Sequence, residues 1–122
     1  MKRTRAKRTA HSDLVKAAVT WLSLQGAYVW VNNTGRLPDR TGRFVRFGFP
    51  GSADIIGVLP GGRFIGAEAK VPPDTARQDQ IEWADGVRAR GGYACVFHDL
   101  YELETHYREA TNGVIDSVND GC

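Results

Sequence analysis

Hydrophobic positions recur along this chain with two periods, and the alternation between them lays out the elements. Leu14, Val15, Ala18, Val19 and Leu22 fall at helical spacing and predict a first helix, with Ser12 as its cap, Asp13 at its positive end and Gly26 as its stop. Ala27-Tyr28-Val29-Trp30-Val31 is rich in strand formers and reads as a strand that Asn32-Asn33-Thr34-Gly35 ends as a turn. Two short apolar runs follow, Ile55-Ile56-Gly57-Val58-Leu59 and Phe64-Ile65-Gly66-Ala67, joined by Pro60-Gly61-Gly62; they read as a β-hairpin. Thr75-Ala76-Arg77-Gln78 has capping-box spacing, and a helix then runs through Gln80, Ile81, Ala84, Val87 and Arg88 to a stop at Gly91-Gly92. Tyr93-Ala94-Cys95-Val96-Phe97 is a buried strand, and Leu100, Leu103 and Tyr107 give a last amphipathic helix. From Thr111 the chain is polar and weakly patterned. The order α-β-(loop)-β-β-α-β-α predicts an α/β fold, a mixed sheet flanked by helices.

The segment 35–50 breaks this pattern. Four Arg, several Gly and two Pro leave no room for a large core element, and it reads as a basic loop at the mouth of a site. Within it, Arg43-Phe44-Val45-Arg46-Phe47 alternates and reads as a short hairpin strand with both arginines on one face.

Composition and charge narrow the class. With 122 residues, of which 42% are hydrophobic, the chain suits one domain with a real core. No apolar run approaches a membrane span, and no apolar core follows the basic N-terminus as a secretory signal would require, so a cytoplasmic protein is expected. Cys95 and Cys122 lie far apart with no metal-binding spacing, and Cys95 sits in an apolar run as a buried thiol. The net charge of +2 conceals segregation. Lys2, Arg3, Arg5, Lys7 and Arg8 crowd residues 1–10, which read as a basic disordered arm; Arg36, Arg40, Arg43 and Arg46 crowd the central loop; acids dominate from Asp99 onward. Such segregation suits a polyanion partner at the basic end, the alternative being a solvated tail.

The candidate chemistry lies on the central hairpin. Asp54 begins one strand and Glu68 ends its antiparallel partner, which puts both carboxylates at one end of the hairpin. Glu68 and Lys70 are two residues apart and share a face. Two carboxylates and an ammonium at one sheet end suit a divalent metal with a cation beside it, the chemistry of phosphodiester hydrolysis. Such spacings also arise by chance. The apolar surroundings weigh against chance here, since an acid and a base on greasy strands cost stability unless paired or used.

With these residues in view, the chain resembles the PD-(D/E)xK nuclease superfamily and, within it, VRR-NUC domains. The resemblance is carried by Val29-Trp30-Val31-Asn32-Asn33-Thr34-Gly35, by Arg46-Phe47-Gly48-Phe49-Pro50-Gly51-Ser52-Ala53-Asp54-Ile55-Ile56-Gly57, by Glu68-Ala69-Lys70, and by Gln80 ahead of Gly91-Gly92. It covers about residues 12–110. It implies a restriction-endonuclease-like αβββαβ core over residues 11–110, followed by a polar tail at 111–122, and the compact single-domain form resembles phage-encoded enzymes. It also implies metal-dependent cleavage of DNA, often branched DNA such as a Holliday junction, by a homodimer. Asp54, Glu68 and the Ala69 backbone carbonyl would hold Mg²⁺ or Mn²⁺; Lys70 would orient the attacking water and offset developing charge; Gln80 would hold the water or the phosphate. One departure stands out. The family carries a Glu in its first helix that helps hold metal, and here the candidate positions read His11-Ser12-Asp13, so Asp13, or else His11, takes its place.

The basic arm and Arg36, Arg40, Arg43 and Arg46 would contact phosphates. No zinc-finger, helix-turn-helix or RNA-stacking pattern occurs, so selection by DNA structure is expected rather than by base sequence. Trp21, beside the apolar stripe of the first helix, is the candidate dimer contact; Trp30 and Trp83 read as core or dimer residues, and His98 and His106 as structural. The competing readings are a DNA-binding module of the same fold that has lost cleavage, a flap or single-strand nuclease, and a metal hydrolase acting on something other than nucleic acid. The last leaves the basic loop and arm unexplained.

Overall fold

The computed structural model describes residues 4–120, with side chains over 4–112. Lys2, Arg3 and Cys122 lie outside the described residues. Helix α1 spans Arg5–Leu24, so the segment expected to be a disordered arm is helical from Arg5 onward. Its cap is Thr4 rather than Ser12: the Thr4 hydroxyl accepts the Lys7 amide at 3.1 Å. Ala6, Lys7 and Arg8 are good helix formers, and extending an existing helix avoids the cost of nucleation.

Strand β1 (Tyr28–Val31) follows, then β2 (Gly35–Pro38) and β3 (Phe44–Phe47), then β4 (Ile55–Val58) and β5 (Phe64–Ala69). Helix α2 (Gln78–Ala89), β6 (Tyr93–Phe97) and helix α3 (Leu100–Asp120) complete the chain. Four strands form a mixed sheet in the order β1-β4-β5-β6. β4 runs antiparallel to both β1 and β5, and β6 runs parallel to β5 because α2 carries the chain back across the sheet. The central basic segment is thus a hairpin of its own, β2 paired with β3, rather than a loop.

Strand alternation divides the sheet into two faces. Ile55, Ile65, Ala67, Ala69, Cys95 and Phe97 share one face and pack against Val15, Ala18, Leu22, Leu103 and Ala110 of α1 and α3. Leu22, Ile55, Ile65, Phe97 and Leu103 are fully buried there, and truncating any of them to Ala is worth about 2–5 kcal/mol. Gly66, Glu68 and Lys70 share the opposite face, under α2. At Gly66 a Cβ would collide with the Trp83 ring, so glycine is what lets Trp83 pack this close to the strand. Burial pushes the Cys95 thiol up to about 12, consistent with an inert core residue.

Three further expectations change. The expected polar tail from Thr111 is the continuation of α3, with Ala110 buried and the Thr111 hydroxyl donating to the Tyr107 carbonyl. Trp21 meets Tyr107 edge-on at 5.5 Å, and Tyr107 Oη donates to the Gln25 carbonyl. Trp21 therefore fastens α1 to α3 within the chain. Trp30 is on the edge strand, 47% exposed and stacked edge-on with Tyr28 rather than in the core. Among the described residues no helix is long and apolar enough to cross a membrane.

Candidate active site

The β4–β5 ladder places Asp54 and Glu68 one step beyond its last pair, Ile55 with Ala67. There the strands part, and side chains replace the missing ladder bonds. The Asp54 amide donates to Glu68 Oε1 at 3.0 Å, and the Ala69 amide donates to Asp54 Oδ2 at 3.0 Å. Glu68 is thereby locked to the Asp54 backbone, and Asp54 to the backbone of Ala69. In an extended strand the N–H and C=O of one residue face the same side. The Ala69 carbonyl therefore lies on the Asp54 side of β5, and Ala69 borders the cleft.

Lys70 and Gln80 join them. Lys70 Nζ is 3.5 Å from Glu68 Oε2, and Gln80 Nε2 donates to the same oxygen at 2.8 Å. Glu68, Lys70 and Gln80 are all buried, at 7%, 9% and 9% exposure. The Gln80 carbonyl is also engaged: it accepts the Arg77 amide at 2.9 Å and so caps α2, whose N-cap is Arg77. The capping partners are thus Arg77 and Gln80, two residues on from the Thr75–Gln78 frame suggested by sequence spacing. With its oxygen accepting from Arg77 and its nitrogen donating to Glu68, Gln80 positions the Glu68 carboxylate from the start of α2.

Asp13 does not reach the site. It is exposed on α1 and borders no part of the cleft. His11 does reach it, with Nε2 3.1 Å from Asp54 Oδ2. Toward a carboxylate, Nε2 is the donor. The helical period explains the choice. His11, Val15, Ala18 and Leu22 fall on one stripe, and the three last are buried; Asp13, two residues on, points about 200° away. That stripe was visible in the sequence and would have favoured His11.

Other residues complete the walls. Asn32 Nδ2 donates to Ser52 Oγ at 2.7 Å and to the Ala53 carbonyl at 2.9 Å, which holds the turn leading into Asp54. Gly51, at φ +80°, presses that turn against α2, where a Cβ would meet the Asp79 carbonyl at 2.2 Å. Lys7 Nζ lies 3.5 Å from Asp74 Oδ1 across the rim. Asp54, Glu68, Ala69, Lys70 and Gln80 line one cleft of about 540 Å³, with His11, Asp74 and Arg77 at its margins. Arg40 and Arg43 border no part of it; Arg36 and Arg46 border an adjoining groove. Arg43 and Arg46 are three residues apart and so do not share a strand face. Instead Arg36 stands directly opposite Arg46.

Burial first, and then the Asp54 charge, raise the Glu68 carboxyl to about 7 against the opposing Lys70 ammonium. Glu68 is thus a carboxyl held partly neutral near pH 7 until a cation favours its charge. Among the described residues no three His, Cys, Asp or Glu side chains are arranged to hold an ion, and no buried polar side-chain atom lacks a partner. The available donors are two carboxylates and one carbonyl, all hard oxygens. Such a set fits Mg²⁺ or Mn²⁺, which take one or two carboxylates and keep several waters; it does not fit a zinc site closed by side chains. Comparison with protein-family models, with curated proteins and with solved structures finds no significant match to the chain.

Proposed function

We propose that this chain is a divalent-metal-dependent endodeoxyribonuclease with a restriction-endonuclease-like αβββαβ core, a VRR-NUC-type enzyme that selects branched DNA such as a Holliday junction and acts as a homodimer. The observation that carries the reading is the convergence of Asp54, Glu68 and Lys70, with Gln80 behind them, at one end of the sheet. A buried acid–base pair is at best neutral for stability, so its retention in a polar cleft favours use.

Asp54, Glu68 and the Ala69 carbonyl would hold the ion, which when bound supplies charge neutralisation at the phosphate and an acidified water. Gln80 and the Asp54 amide fix the Glu68 carboxylate from two sides. His11 and the Ala69 amide hold Asp54 Oδ2 and so fix the orientation of the carboxylate that lines the cleft. Lys70 Nζ donates to phosphoryl oxygens as negative charge grows on them. Arg5, Lys7 and Arg8, in the first turns of α1, offer charge to flanking phosphates at the rim that His11 and Lys7 border.

A second reading, a module of the same fold that binds DNA without cutting it, rests on the missing carboxylate of α1, where His11 stands instead. Incubating the purified chain with labelled Holliday junction, flap and linear duplex, in Mg²⁺, Mn²⁺ or EDTA, separates the two. Metal-dependent cutting of the junction, abolished by Asp54→Asn, is the expected result. Binding without cutting in either metal selects the second reading, and cutting by Asp54→Asn at the parent rate removes the assigned site.

A further inference from the structure

The β2–β3 hairpin carries a charge arrangement that the acid cluster does not need. Arg36 and Arg46 are direct cross-strand partners on one face of this ribbon. Like charges directly opposite each other destabilise a strand pair, and a two-stranded ribbon is marginal by itself. Burial does not offset this cost, because every residue of β3 is exposed. Among the described residues neither arginine has an ion-pair partner. Arg36 instead lies over the Phe44 ring, its Cζ 5.5 Å from the centroid.

Both arginines border a groove of about 270 Å³ between the hairpin and the start of α2. Arg77 joins them there, and the Asp79 carboxylate, 3.3 Å from Arg77 Nε, is the opposing charge. Three guanidiniums against one carboxylate leave the groove electropositive. Gly35, Gly51 and Arg77 border both this groove and the acid cleft, so the two run into one another. Gly51, packed on the first turn of α2, makes their shared wall rigid.

We propose that this groove seats backbone phosphates next to the scissile one, so that the substrate strand continues from the cleft across the Arg36–Arg46 face of the hairpin. The inference rests on the reading of the cleft as nucleolytic. Guanidinium forks match phosphate and carboxylate alike, and continuity with a cleft suited to phosphodiester hydrolysis selects phosphate. The groove thus assigns a place to a strand uninterrupted at the cut, and Arg77, which the charge pattern of the sequence did not single out, becomes part of the contact.

The test uses the full chain carrying Asp54→Asn, so that binding is read without cleavage, with fluorescein-labelled duplexes bearing single-strand extensions lengthened one nucleotide at a time on either side. Anisotropy titrations across a salt series compare this parent with the same chain carrying also Arg36→Gln and Arg46→Gln. The log–log salt slope should be smaller in magnitude by about 1.4 to 1.8 if both contacts are lost. The step in affinity on extending one strand should vanish as well. Relief of the cross-strand repulsion should leave the Tm equal or higher. Arg36→Lys with Arg46→Lys, which keeps the charges, should retain most of the slope. An unchanged slope with intact DNA binding overturns the groove while the nuclease reading stands, and so does a lowered Tm that accounts for the loss. If the parent binds no DNA and the chain without Asp54→Asn cuts none, both fall together.

Discussion

In the absence of divalent cations, raising the pH from 4.5 to 7 should destabilise the folded chain, with Glu68 as the cause. Its carboxyl is buried on the α2 face of the sheet beside Asp54, which moves it from 4.5 to about 7, with Lys70 opposing. Within that window the folded chain keeps a proton that the unfolded chain has lost. Stability from the neutral form is therefore full below 4.5, declines as pH rises, and levels off above 7. At about 1.4 kcal/mol per pH unit the decline is roughly 3 kcal/mol, as an upper bound because Asp54 and Lys70 share the site. Urea titrations followed by tryptophan fluorescence in EDTA, at closely spaced pH, measure it. Glu68→Gln is the reference, since it removes this titration and leaves all others. Its absolute stability should be lower by about 1–3 kcal/mol, because both Glu68 oxygens accept hydrogen bonds and an amide must turn its NH₂ against the Asp54 amide or against Gln80. The slope is what distinguishes the two. Mg²⁺ should flatten the decline, and its affinity should rise about tenfold per pH unit below about 7 as one proton is displaced. Identical slopes in the parent and Glu68→Gln would refute the placement of a buried, titrating carboxyl at this position.

Asp54→Asn should be the cleaner loss-of-function variant: an amide oxygen in the place of Oδ2 keeps both the Ala69 and His11 bonds, so stability should stay within about 1 kcal/mol while cleavage is lost, as thermal melts beside junction assays would reveal. Lys70→Ala should lower single-turnover rate more than DNA affinity and should push the Glu68 carboxyl higher still, weakening Mg²⁺ binding at neutral pH in calorimetry; a large affinity loss at unchanged rate would make Lys70 a phosphate anchor. Replacing Arg5 and Lys7 by Gln should reduce the magnitude of the DNA-binding salt slope by up to about 1.8, and no change would leave these turns of α1 as a solvated helix end. Trp21→Ala should cost about 2–4 kcal/mol of fold stability through its lost contact with Tyr107 while leaving the association state in light scattering unchanged; dissociation at intact stability would restore Trp21 as the dimer contact.

Much of the architecture was legible because it is local. Period-two alternation and the Pro60-Gly61-Gly62 turn suffice to put Asp54 and Glu68 at one end of a hairpin and Lys70 on the Glu68 face, and the observed register agrees. Helical spacing located the buried stripe of α1 and the body of α2. Propensity and charge, which carry no information about distant partners, misplaced the ends: residues from Arg5 are helical through capping by Thr4, and α3 continues past Thr111. The β2–β3 ribbon is set by pairing across a turn, and only its register puts Arg36 opposite Arg46. The helical stripe through Val15, Ala18 and Leu22 already favoured His11 over Asp13, but the contact of His11 with Asp54 depended on how α1 packs against the sheet. The role of Gln80 depended on a hydrogen bond to an acid twelve residues away and on the α2 cap it also makes. Alternation along one strand sets which residues share a face, whereas rotation of a helix and the spending of an amide's two ends are settled by packing between elements, and these only the tertiary structure decides.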